Sequence, residues 1–152
     1  AKFIKNEDAE LARTYFELGA SQKHVGCCLE AGKFYIPKNL LRAAEFFEKG
    51  IAVEGGDGEL RGEIFDSLAS VWETENTFSE VCFDEKKVLH YLGKAHELHY
   101  APSTHRLALY CIHGTKKDVG FKVDVNRGIL LLRTAAKQSY APSLQALDDF
   151  DK

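Results

Sequence analysis

Bulky apolar residues along this chain come in adjacent pairs, separated by mixed stretches, and the pairs recur. Tyr15-Phe16, Phe46-Phe47, Tyr91-Leu92 and Leu131-Leu132 are spaced 31, 45 and 40 residues apart. Around them apolar residues fall at helical intervals: Leu40, Ala44, Phe47 and Ile51; Val88, Leu92 and Ala95; Ile129, Leu132 and Ala136. That period marks one face of an amphipathic helix. Asn39, Asp84 and Asp124 stand before these runs as N-caps, since their side-chain oxygens can accept from first-turn amides. A second helical run follows each first one: Leu60, Ile64, Leu68, Val71 and Trp72; Leu107 and Cys111; Leu144 and Leu147. Pro102 and Pro142 suit a first turn, where the missing amide costs nothing. Strand-like runs are confined to Phe34-Tyr35-Ile36 and Val81-Cys82-Phe83, too short to build a sheet. The pattern predicts an all-α chain.

The runs are copies of one unit. Asp84-Glu-Lys-Lys-Val-Leu-His-Tyr-Leu-Gly-Lys-Ala95 aligns with Asp124-Val-Asn-Arg-Gly-Ile-Leu-Leu-Leu-Arg-Thr-Ala135 at an offset of 40. At the same offset Tyr100-Ala-Pro-Ser103 repeats as Tyr140-Ala-Pro-Ser143, and Leu107 falls on Leu147. A third copy runs from Asn39 through Leu41-Arg-Ala-Ala-Glu-Phe-Phe47 to Gly50, and a degenerate fourth from Tyr15 to His24. The middle interval carries an insertion, assigned to Glu54-Gly-Gly-Asp-Gly58 together with residues 73–82. The expected architecture is a single domain, residues 1–152, forming an α/α solenoid of about four antiparallel hairpins at 6–33, 39–74, 84–114 and 124–151. Stacked hairpins bury a continuous core between neighbours.

Asp-x-x-Lys, then Tyr-Leu-x-Lys-Ala, then Tyr-Ala-Pro-Ser, then Leu and Gly114, resembles the Sel1-like repeat, a relative of the tetratricopeptide repeat. Ala135-Ala136, Leu107-Ala-Leu-Tyr110 and Tyr15-Phe16-Glu-Leu-Gly-Ala-Ser-Gln match parts of that unit. The resemblance spans most of the chain. The unit's Gly after the first helix is His99 in one copy and Ser139 in the next. The Lys-Ala position is Lys87-Val88 and then Arg127-Gly128. The resemblance implies a right-handed superhelix and a non-enzymatic scaffold or adaptor.

Composition narrows the picture. The chain has 152 residues and a net charge of −3, which gives no bulk electrostatic case for nucleic acid or an anionic membrane. No apolar run approaches the ~20 residues of a membrane helix. Cys27, Cys28, Cys82 and Cys111 are too sparse for a disulfide scaffold and read as buried free thiols, which points to an intracellular reducing compartment, cytoplasm or mitochondrion. The chain starts at Ala1 and contains no Met, which predicts that an upstream segment, including any targeting or anchor sequence, has been removed. Membrane contact would then come only from that segment, in an organellar protein serving a membrane complex.

Candidate chemistry is thin. His90, His96, His99, His105 and His113 cluster, and a metal- or thiol-dependent enzyme using this third hairpin is one alternative. His96-Glu-Leu-His99 is one residue short of the zinc-protease spacing. Cys27 with His24 could form a nucleophile pair, but a reactive thiol needs an electropositive, open setting. The glycine-rich stretch at 55–58 lacks the Lys-Ser/Thr of a phosphate loop and reads as a linker. No catalytic, cofactor or metal residue is assigned. The expected function is protein binding along a concave groove lined by the first helices. One member of each bulky pair turns inward: Phe47, Leu92 and Leu132 continue the apolar stripe. Tyr15, Phe46, Tyr91 and Leu131 are then the candidate contact residues. Phe3 and Ile4 are candidates for self-association as a homodimer.

Overall fold

The computed structural model describes residues 2–36, 38–74, 84–115 and 121–151, with side chains described from residue 7. Helices follow one another throughout: α1 (Lys2–Ser21), α2 (Val25–Phe34), α3 (Leu40–Ala52), α4 (Gly58–Glu73), α5 (Glu85–Glu97), α6 (Ala101–His113), α7 (Val125–Lys137) and α8 (Ala141–Phe150). Each packs on its sequence neighbours. Second helix α4 also touches second helices α2 and α6, and first helix α1 touches α3. First and second helices therefore form two layers, and the architecture is an α/α solenoid. The insertion at residues 75–83, with Cys82 and the run at 81–83, lies outside the described residues. None of the described helices is long and apolar enough to cross a membrane.

The helix starts follow the sequence. Asn39 accepts from the Arg42 amide, Asp84 from Lys86 and Lys87, and Asp124 from Arg127. Asp57 caps α4 in the same way, from within the glycine-rich stretch. Each such cap contributes about 1 kcal/mol.

The turns inside hairpins share one geometry. The amides of His24, Tyr100 and Tyr140 reach back to the carbonyls of Gly19, Ala95 and Ala135, at 3.0, 3.1 and 3.3 Å. The amides of Lys23, His99 and Ser139 bond Ala20, His96 and Ala136. This double closure needs a left-handed residue after the helix. Lys23, His99 and Ser139 supply it with φ of 63°, 61° and 63°. The two positions where the repeat unit has Gly thus keep the glycine backbone with another side chain. The α3–α4 turn is built differently: Gly55 and Gly56 take positive φ, and the Arg61 guanidinium donates to the carbonyls of Ile51, Val53 and Gly55.

The core runs through the stack as three clusters in series. Ala20, Cys28, Ala31 and Phe46 join α1, α2 and α3. Leu29, Leu40, Phe47, Ile64 and Leu68 join α2, α3 and α4. Val88, Leu92, Leu107, Cys111 and Leu132 carry the core from α5 to α7. Close approach needs missing side chains at several points, Gly32 and Gly128 among them. A Cβ on Gly32 would lie 2.3 Å from the Phe47 ring, and one on Gly128 would lie 2.5 Å from Ile112. Gly128 stands where the repeat unit has Ala because α7 rests directly on α6 there.

Polar bonds tie successive second helices. Ser103, fully buried, donates to Asp66 at 2.7 Å. Arg106 reaches Asp66 at 2.9 Å, Ser70 at 3.1 Å and also Glu73. One repeat later, Ser143 Oγ lies 2.8 Å from His105 Nδ1. The repeated Ser of Tyr-Ala-Pro-Ser is therefore an inter-hairpin tie, satisfied in a place where an unpaired hydroxyl would be costly.

Leu144 departs from the expected core. It is 48% exposed, while Leu147 packs on the last cluster. In α8 the first-turn Ser143 occupies the fully buried place, which turns Leu144 outward.

A left-handed L-residue costs roughly 1–2 kcal/mol, of which glycine's extra unfolded-state entropy takes back part. Ser139→Gly is expected to stabilise the protein by about 0.5–1 kcal/mol in urea unfolding. A lower midpoint in the variant would contradict this account of the turn.

Candidate interaction surface

The four aromatic and aliphatic candidates fall in different places. Tyr15 is 64% exposed. Leu11 and Leu18 flank it at i−4 and i+3 and are 54% and 55% exposed, so α1 presents one apolar stripe. Phe16, its pair partner, turns inward to the first cluster and meets the Phe34 ring at 5.9 Å. The spacing of Leu11 and Leu18 around Tyr15 was the available signal for this stripe.

Phe46 and Leu131 correct the expectation that one pair member stays outside. Phe46 is 3% exposed and Leu131 is 7% exposed. A middle helix of the stack has neighbours on two sides, so both members of a pair find cover. Tyr35 stacks on Phe46 at 5.7 Å, with Arg42 at 4.8 Å and Lys49 at 5.2 Å from the ring centre. Leu131 joins the last cluster beside Leu132. Tyr91 is intermediate. It stacks on Phe65 at 6.2 Å, and burial followed by the nearby Glu48 raises its phenol pKa. The side chains of Phe3 and Ile4 lie outside the described residues.

Four of the six histidines serve the fold. His24 caps α2, its Nδ1 accepting from the Cys27 amide at 3.3 Å. His96 Nδ1 lies 2.9 Å from Thr104, and His105 meets Ser143 and the edge of Tyr140. His99 occupies a left-handed turn. Among the described residues no three His, Cys, Asp or Glu side chains are placed to hold a metal ion. Burial raises the thiol pKa of Cys28 and Cys111, the direction opposite to nucleophile activation.

Charge is distributed unevenly among the later helices. First helices α5 and α7 carry six Lys and Arg against two Glu, whereas second helices α4, α6 and α8 carry six carboxylates against two Arg. On the second-helix side, cations and acids meet: Lys33 with Glu63 at 2.9 Å, and Arg106 with Asp66 and Glu73. On α5 and α7, Lys86, Arg127, Arg133 and Lys137 are exposed and have no ion-pair partner among the described residues. Sequence reasoning missed this distribution, because the Lys86-Lys87 pair read alone is short.

No protein-family model matches the sequence, and no curated protein matches it. Among solved structures the chain is similar to a protective antigen present in uropathogenic Escherichia coli strains that displays a Sel1-like repeat fold. The TM-score is 0.63 at 17% identity, over 83% of this chain and 25% of that one. The chain thus spans a quarter of the length of that structure. The fold is the α/α solenoid of Sel1-like repeat proteins.

Two measurements separate these roles. Phe46→Ala is expected to destabilise the protein by about 3–5 kcal/mol, the usual cost of emptying a buried Phe site, and Tyr15→Ala by less than about 0.5 kcal/mol. Equal losses in chemical denaturation would reject the assignment of Phe46 to the core and Tyr15 to the surface.

Burial holds the pKa of His105 below the usual histidine value; burial, then His99 and Arg127, do the same for His96. The unfolded chain then takes up these protons first as pH falls. Stability is full above the ordinary histidine range, near pH 6.5, and declines as pH drops through it. Urea midpoints are expected to fall between about pH 7 and about pH 5, and less so in His105→Gln. A variant with the full wild-type decline would remove His105 from this account.

Proposed function

We propose that this chain is a non-enzymatic helical-repeat scaffold that binds another protein. The observation that carries the reading is the exposed apolar stripe of α1, Leu11, Tyr15 and Leu18, three large side chains each more than half exposed on one helix side. Exposed aromatic and Leu residues on a rigid helix make good anchors, because little ordering accompanies their burial. The Sel1-like solenoid and the structural duties of His24, His96 and His105 support a binding role over a catalytic one. Free Cys27, Cys28 and Cys111 support a reducing compartment, cytoplasm or mitochondrion.

Self-association is a second reading. The same stripe favours it, since two copies of α1 could bury it against each other in a two-fold contact. Phe3 and Ile4 would extend such a contact by sequence.

Leu18→Asp is expected to weaken partner capture at least about tenfold while circular dichroism stays unchanged, the effect of losing one anchor. Capture by the immobilised full chain, read by mass spectrometry against the variant, checks this. The same proteins recovered in the same amounts would refute the α1 stripe as the contact. Sedimentation at rising concentration decides between a foreign partner and a second copy.

A further inference from the structure

We infer that the first-helix layer of the last two hairpins is a docking face for an acidic segment of a partner protein, one in which carboxylates are interleaved with apolar residues. This rests on the scaffold reading and adds a second contact surface with defined chemistry.

The face is built by helical spacing. On α7, Arg127, Leu130, Arg133 and Lys137 follow one another by three, three and four residues and occupy one side of the helix. The opposite side carries Gly128, Leu131, Leu132 and Ala135, all buried. On α5, Lys86 and Lys94 stand eight residues apart on the side facing away from Val88, Leu92 and Ala95. Both helices belong to the same layer. Lys87 is held separately, its ammonium 3.6 Å from the centre of the Trp72 ring.

Charge bookkeeping selects the occupant. The protein as a whole is acidic at −3, so a basic face is a local arrangement. In α1 and α3 the layer neutralises itself: Arg13 pairs with Glu10 at 2.9 Å, and Arg42 with Glu45 at 3.0 Å. In α5 Lys94 has Glu97 at 3.8 Å, and α7 contains no acidic residue. On the other layer Glu63 is paired with Lys33, and Asp66 and Glu73 with Arg106. Like charges gathered on one side of a helix repel, and an anionic ligand relieves that repulsion. Leu130, 60% exposed among the cations, selects for a ligand with apolar residues between its charges. A polyphosphate backbone would leave Leu130 uncovered, and the overall negative charge opposes nucleic acid at long range.

The test uses the full chain and a fluorescein-labelled peptide of repeating Glu-Glu-Leu units, with a Gln-Gln-Leu peptide as control. Fluorescence anisotropy is expected to show binding of the Glu peptide that weakens with salt, and little binding of the control. Amide NMR shifts are expected to cluster in residues 85–97 and 125–137. Arg133→Glu with Lys137→Glu is expected to weaken binding about tenfold or more, whereas Leu18→Asp leaves it unchanged. Equal binding of the two peptides overturns the inference, as does indifference to the double charge reversal. Tighter binding of phosphatidylserine vesicles or of single-stranded oligothymidylate overturns it in favour of a lipid or nucleic-acid ligand. A wild-type dimer that the double reversal dissociates overturns it in favour of a second copy. If Leu18→Asp abolishes partner capture while the Glu peptide fails to bind, the scaffold reading stands and this inference falls. If neither holds, both fall.

Discussion

A helical hairpin in this chain cannot cover its own apolar face, and everything else follows from that. Phe47 illustrates it: the ring leaves α3 and fills the space above Gly32 of the preceding hairpin. Leu132 does the same between α7 and α6. Burying such side chains contributes roughly 1.5–3 kcal/mol each, but only when the neighbouring hairpin is in place. Stability is therefore shared between repeats rather than held within them. The buried Ser103–Asp66 bond and the Arg106 contacts act at the same junctions, so the apolar and polar terms specify one register.

The repeat, the helix starts and the two-helix unit were legible because each is written locally. A capping Asn or Asp acts on amides two or three residues away, and a helical period needs only one turn of context. Which member of a bulky pair faces out is not a local property. Phe46 is covered by Tyr35, the residue that ends the preceding helix, and nothing within α3 announces that Tyr35 will be there. Tyr15 is outside although its pair looks the same. The ties from Ser103 to Asp66 and from Ser143 to His105 follow the same logic. The repeated Ser is visible in the sequence, whereas its partners sit 37 and 38 residues away on another helix. The segregation of charge emerges only when first helices are separated from second helices.

The turns show how a repeat drifts without losing its shape. The φ angles at Lys23, His99 and Ser139 agree within a few degrees, although the three side chains share nothing. The geometry is enforced by the two back-bonds and by the helices on either side, at the cost of some strain at each site. A pattern search built on Gly at this position would pass over these copies, even though the backbone keeps its register.

The serial arrangement of the three clusters has a mechanical consequence. Each cluster is linked to the next by one or two helices, and none spans the whole stack. Tension applied to the two ends would be carried through these junctions in sequence, not in parallel. The chain would yield hairpin by hairpin from its ends, and the α4–α6 junction, braced by Arg106 and Ser103 in addition to apolar contacts, would be the last to part.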